Sequence, residues 1–163
     1  MLLAGDIGGT KTSLALYSPE RGLLPLRQAT FQSAEFPSLE AVCQAFLAKD
    51  HAPVRTAVFG VAGPVLGGEA TVTNLPWVIR EATLEQMVGL ERATLLNDLE
   101  ATAYGVPHLS SSDQYALNDV PSHGGTKGVI AAGTGLGEAV LFHHGGQYRV
   151  LASEGGHTDF GPR

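Results

Sequence analysis

Two largely apolar runs, residues 2–5 and 12–17, flank the polar turn "DIGGTKT" and predict two strands around it. Leu23 to Gln32 reads as a third strand, entered through the turn at "SPERG". The pattern then changes period. In "SLEAVCQAFLAKD", Leu39, Val42, Cys43, Phe46 and Leu47 recur at helical spacing and form one stripe. "VRTAVFGVAG" predicts a buried strand ending in a Gly-Pro turn, and Thr83 with Gln86 has capping-box spacing, predicting a helix start there. "ATLLND" is a strand, and "DLEATAYGV" a helix with Leu99, Thr102, Ala103 and Val106 along one side. Strands mixed with helices in this way predict an α/β fold.

After the linker-like "PHLSSSD" the pattern starts again. "GVIAAGTGLGEAVLFHHGGQYRVLASE" reads as strand, Gly-rich turn, strand, Gly turn, strand, the same order as the opening thirty residues. This is a weak internal duplication. It divides the chain into residues 1–108 and residues 109–163, each with one Gly/Thr turn able to face a shared ligand.

Composition adds little except for glycine. The 163 residues carry a formal charge of -6 with Lys and Arg scattered, so no nucleic-acid surface is indicated. No apolar run approaches a membrane span, and neither a secretory signal nor a cysteine pair is present, which makes a cytoplasmic setting the expectation. The single Cys43 reads as a small buried hydrophobe. The 21 glycines gather in clusters, as tight turns and close backbone approach to a ligand require.

The chemistry sits in three of these turns. In the first, Gly8 and Gly9 let backbone N–H groups approach an anion, with Thr10, Thr12 and Lys11 adding donors. Gly133, Thr134 and Gly135 repeat that chemistry in the second half. Asp6 would repel a bare phosphate, but fits if Mg²⁺ and its waters lie between them. The alternative is a hairpin turn that is simply polar. Asn97 and Asp98 follow a strand and open a helix, so they are N-cap residues, or else a carboxylate placed to accept a substrate proton. In "SEGGHTDFGP", Glu154, His157 and Asp159 are either a solvated loop or a set able to hold sugar hydroxyls. Zinc-ligand spacing and the P-loop pattern are both absent.

"DIGGTKT", "LLNDLEATAYG", "GTGLGEAVL" and "EGGHTDFGP", in this order, resemble the bacterial glucokinase family, a sugar-kinase branch of the actin/hexokinase/Hsp70 superfamily. "VAGPV" and "TNLPWVI" fit the same pattern. The resemblance implies a ribonuclease H-like (actin-like ATPase) fold, a mixed sheet with helices whose second domain is incomplete. It implies phosphorylation of glucose at the 6-hydroxyl with ATP and Mg²⁺. Asp6 to Thr12 would form the first phosphate turn and Gly133 to Gly137 the second. Asp98 would be the base, with Asn97, Glu154 and His157 on other sugar hydroxyls. Family members are roughly twice this size, so the chain alone is expected to be a weak or inactive catalyst. Surfaces left open would favour homodimers or other self-association. A kinase for another hexose and a non-catalytic sugar- or nucleotide-binding relic are the competing readings.

Overall fold

The computed structural model of the protein describes residues 1–48, 53–118, 120, 124–133 and 135–158. Two compact units result, Met1–Asp98 and Leu99–Arg163.

The first unit is built on β1 (Leu2–Ile7), β2 (Lys11–Tyr17), β3 (Arg27–Gln32), β4 (Thr56–Val61) and β8 (Arg92–Asn97). They form one mixed sheet in the order β3-β2-β1-β4-β8. The first three strands are antiparallel neighbours, while β1, β4 and β8 run parallel. Alternation sends Leu3, Ile7, Leu14, Leu16, Phe59, Val61 and Leu95 to one face, where they are buried. Against that face lies α1 (Leu39–Leu47), whose predicted stripe is buried at Leu39, Val42, Cys43 and Phe46 and partly buried at Leu47. Ser38 caps it, its hydroxyl accepting from the Ala41 N–H at 3.4 Å. The predicted tail of this helix at Lys49–Asp50 lies outside the described residues. The opposite sheet face carries Ala4, Asp6, Ser13, Ala15, Gln28 and Thr30 around an open groove of about 700 Å³.

Three expectations are corrected. The third strand begins at Arg27, because a 3₁₀ turn at Pro19–Arg21 and Gly22 in the left-handed region (φ 57) prolong the reversal. Leu23 and Leu24 consequently stand in solvent, 73% and 65% exposed. A separate small sheet, β5 (Val65–Leu66), β6 (Glu69–Thr71) and β7 (Val78–Arg80), interrupts the expected strand–helix order. It buries Ala70, Val72, Trp77 and Ile79 against the same core, and the Trp77 indole N–H donates to the Phe36 carbonyl at 3.2 Å. The second helix, α2 (Glu81–Val88), starts two residues before Thr83, and its N-cap Arg80 gives no side-chain cap. Thr83 and Gln86 therefore form no capping box. Gly89 ends α2 at φ 77, its N–H returning to the Glu85 carbonyl at 3.0 Å.

In the second unit, α3 (Asp98–Gly105) is followed by β9 (Lys127–Ala132), β10 (Leu136–His144) and β11 (Gln147–Ser153). The strands form an antiparallel meander ordered β11-β10-β9, the arrangement β3-β2-β1 has in the first unit. Gly145 and Gly146 both have positive φ (58 and 81), as a two-residue hairpin turn requires. Ala103 of α3 packs with Ala139 and Leu141 of β10, and Leu99, Val129, Tyr148 and Val150 surround them. Helix α3 stops at Gly105, so Val106 of the predicted stripe falls in the next 3₁₀ turn, with Pro107. Among the described residues no helix is long and apolar enough to cross a membrane.

Burial, with the Glu40 charge adding, pushes the Cys43 thiol up from 9.0 to about 12. Between those values the unfolded chain ionises and the folded one does not, so this thiol's contribution to stability is complete below pH 9.0 and is lost as the pH rises toward 12. Native Cys43 is expected to react with a thiol reagent at pH 8 about two orders of magnitude more slowly than in the urea-unfolded chain. Equal rates would contradict the packing of α1.

Candidate active site

The first glycine turn joins β1 to β2. Asp6 is exposed on β1, in register with Ser13 of β2 and Gly60 of β4. Behind it Gly5 leaves room for Phe59, whose Cδ1 would lie 2.5 Å from a Cβ there. Gly8 closes the turn through its N–H to the Lys11 carbonyl at 2.9 Å. Gly9 faces the Thr73 carbonyl so closely that no side chain fits. Thr10 and Lys11 are exposed.

Thr12 does not match its expected part. It is fully buried, and its Oγ1 lies 3.0 Å from Ser33 Oγ, which itself donates to the Gly8 carbonyl at 3.0 Å. A side chain with no exposed surface cannot present a hydroxyl to a phosphate. It braces the turn from below.

Strand β8 ends at Asn97, whose Nδ2 donates to the Gly63 carbonyl at 3.1 Å. Asp98 is the first residue of α3. Ile7, Val61 and Asn97 are register partners across the three parallel strands. The Gly8–Gly9 turn, the Ala62–Gly63 loop and Asp98 therefore leave the sheet at the same end. A hydrogen bond from the Ala62 N–H to the Ile7 carbonyl (2.9 Å) links the first two, and Thr73 Oγ1 donates to the Ala62 carbonyl at 3.1 Å. Ligands of open α/β sheets bind outside the carboxyl ends of parallel strands. This end is the candidate site of the first unit.

Strand β8 lies at the sheet edge, so every second N–H faces away from its partner β4. Two carboxylates of α2 take these groups: the Leu95 N–H donates to Glu81 Oε1 at 2.8 Å and the Ala93 N–H to Glu85 Oε1 at 3.0 Å. Spaced four residues apart on a helix, Glu81 and Glu85 project the same way and match alternate residues of a strand. They cap the strand that carries Asn97.

In the second unit, the Gly133 N–H donates to the Gly135 carbonyl at 2.9 Å, closing a tight turn between β9 and β10. Thr134 and Asp159 lie outside the described residues. Gly137 sits under Leu99, whose carbon atoms would be 2.6 Å from a Cβ. Exposed Glu154 precedes the 3₁₀ turn Gly155–His157. Gly156 in that turn stands directly against the Leu136 carbonyl, where no Cβ fits, so this loop and the second glycine turn share a seat. The Thr158 hydroxyl closes the loop onto the Gly155 carbonyl at 2.7 Å.

Sequence reasoning missed Ser33, Gly63, Thr73, Glu81 and Glu85. Gly63 lies in the quoted "VAGPV" and Thr73 in "TNLPWVI", and the glutamates left a signal of their own, a pair at helical spacing one loop before the strand "ATLLN".

The family model described as Glucokinase matches residues 3–163, essentially the whole chain. The chain belongs to the glucokinase family. It is 42% identical to the glucokinase of Nostoc punctiforme, with all of this chain and 49% of that protein aligned. Among solved structures, glucokinase from an Antarctic psychrotroph superposes with a TM-score of 0.86 at 29% identity, over 99% of this chain and 52% of that one. Glucokinase from Balamuthia mandrillaris in complex with glucose gives 0.76 at 26% identity, over 99% and 49%. The chain thus spans about half the length of the curated relatives it matches. Its mixed sheet with few helices is the actin-like ATPase architecture of the glucokinases.

Glu81→Leu is expected to lower stability by about 1–3 kcal/mol, since it strands the Leu95 N–H. Glu81→Gln, which keeps an acceptor, is expected to lose less than half as much in urea unfolding. Equal losses would show that the carboxylate does not act as a strand cap.

Proposed function

We propose that this chain carries the first phosphate turn, the catalytic base and the sugar loop of an ATP-dependent glucose kinase. In the reaction the glucose 6-hydroxyl oxygen forms a bond to the γ-phosphorus of ATP as the bond to the β-phosphate oxygen breaks. The hydroxyl proton goes to a base, giving glucose 6-phosphate and ADP. The observation that carries the reading is the convergence of Asp6 to Lys11, the Gly63 loop and Asn97–Asp98 at one end of parallel strands, in a member of the glucokinase family.

Each residue then has a task. The Asp98 carboxylate accepts the proton of the 6-hydroxyl. A weak base is enough, because the loose transition state of phosphoryl transfer asks mainly for position. Asn97, Glu154 and His157 hold other hydroxyls of the sugar. In the first unit the N–H groups of Gly8 and Gly9 and the side chains of Thr10 and Lys11 are the donors for phosphate oxygens, and in the second unit Gly133, Thr134 and Gly135 are.

Asp6 suits Mg²⁺. It is an exposed single carboxylate beside the turn, and among the described residues no group of three or more His, Cys, Asp or Glu could hold a metal by itself. That donor set fits an ion that keeps most of its waters and shares the rest with phosphate. Bound there, Mg²⁺ would neutralise phosphate charge.

Residues 1–108 are our reading of the smaller domain and residues 109–163 of the start of the larger one. A cytoplasmic setting and self-association of copies complete the proposal.

The test is sugar-dependent ADP formation from MgATP, by the chain alone and by the chain joined to the second half of the Nostoc punctiforme glucokinase. Glucose is compared with fructose, mannose and N-acetylglucosamine. The joined protein is expected to prefer glucose, and Asp98→Asn to lower its kcat by about 10²–10⁴-fold with little change in KM for glucose. The chain alone is expected to turn over weakly or not at all. ADP formation indifferent to sugar, or unaffected by Asp98→Asn, would contradict the reading.

A further inference from the structure

We infer that Ser33 is a positioning residue for the first glycine turn, holding it from the protein interior so that the Gly9 N–H is turned outward. This deepens the kinase reading and, for its catalytic consequence, rests on it.

Ser33 opens the short 3₁₀ turn Ser33–Glu35 after β3 and is fully buried. Three of its interactions converge on the turn. Its N–H donates to the Thr10 carbonyl at 2.9 Å, its Oγ donates to the Gly8 carbonyl at 3.0 Å, and Oγ lies 3.0 Å from Thr12 Oγ1. A serine hydroxyl has one proton. Since Ser33 spends it on Gly8, Thr12 is the donor in the second pair. The order of donation is therefore fixed: Thr12 to Ser33 to Gly8.

The consequence follows from the planar trans peptide. When the Gly8 carbonyl points inward at Ser33, the N–H of the next residue, Gly9, points the opposite way. Neither hydroxyl is exposed, so water cannot replace either one, and loss of a link leaves a buried polar group unpaired. Thr12 and Ser33 come from different strand ends of the sequence, twenty-one positions apart, yet they act on one turn.

The experiment has two readouts. In the chain itself, hydrogen exchange by NMR needs no nucleotide. Ser33→Ala is expected to speed exchange of the Gly8 and Ser33 amides about tenfold, while Phe59 in the middle of β4 keeps its rate. Thr12→Val is expected to speed Gly8 in the same way, and Thr12→Ser, which keeps the donor, to leave its rate at the wild-type value. In the joined kinase, Ser33→Ala is expected to raise KM for MgATP about tenfold with KM for glucose unchanged.

Unchanged Gly8 exchange would overturn the inference. So would equal acceleration at Phe59, which would make Ser33 a general core residue, or an equal rise in both KM values. An inactive wild-type joined protein would sink the kinase reading alone, since the exchange rates still decide whether Ser33 holds the turn.

Discussion

The parallel register of β1, β4 and β8 is the constraint on which the first unit depends. With Ile7, Val61 and Asn97 aligned, three segments distant in sequence leave the sheet side by side. None of the three could form a site alone. A glycine turn, a Gly-Pro loop and an Asn-Asp pair are each ordinary features of loops and helix starts. Register makes them neighbours, and the buried face of Leu3, Ile7, Phe59, Val61 and Leu95 fixes the register, because a slip by one residue would turn those side chains to the other face.

Around that constraint the polar interior is arranged to leave few options. Thr12 and Ser33 settle the inner side of the first turn, Asn97 secures the Gly63 loop, and Glu81 with Glu85 occupies the edge of β8. The last device has a second effect. An edge strand with free N–H groups invites pairing with another chain, and two carboxylates on a helix remove that opportunity. In the second unit glycine does the comparable work by its smallness. Gly137 admits Leu99, and Gly156 admits the Leu136 carbonyl, so the sugar-loop candidate and the second glycine turn are seated on the same strand end.

Much of this was legible in the sequence wherever periodicity and burial agree. The α1 stripe, strands β1, β2, β4 and β8, and the meander of β9–β11 follow directly from apolar spacing. The failures have physical causes. Apolar spacing overextends strand β3 because Leu23 and Leu24 are apolar yet exposed in a turn. The β5–β7 sheet escaped notice because strands of two and three residues are too short to show a period. For α2, Thr83 and Gln86 offered a capping box that the chain does not use; the preceding Glu81 is already helical, with its carboxylate committed to β8. At the site, residue type pointed to the glycines, Asp6, Asn97 and Asp98. It could not tell that Thr12 is turned inward, since a strand's alternation assigns either face until the core is known. Ser33 carried no signal at all, being one serine in a polar stretch whose meaning is set by a tertiary contact.

The most direct test of the shared site is an NMR titration of the chain with MgATP and then glucose, following backbone amides. The account places the largest shifts at Gly8–Gly9, Gly63 and Asn97–Asp98, at the carboxyl end of β1, β4 and β8. Shifts centred instead on Tyr17 and Gln28, in the groove at the far side of the sheet, or no shifts at all with millimolar ligand, would contradict it.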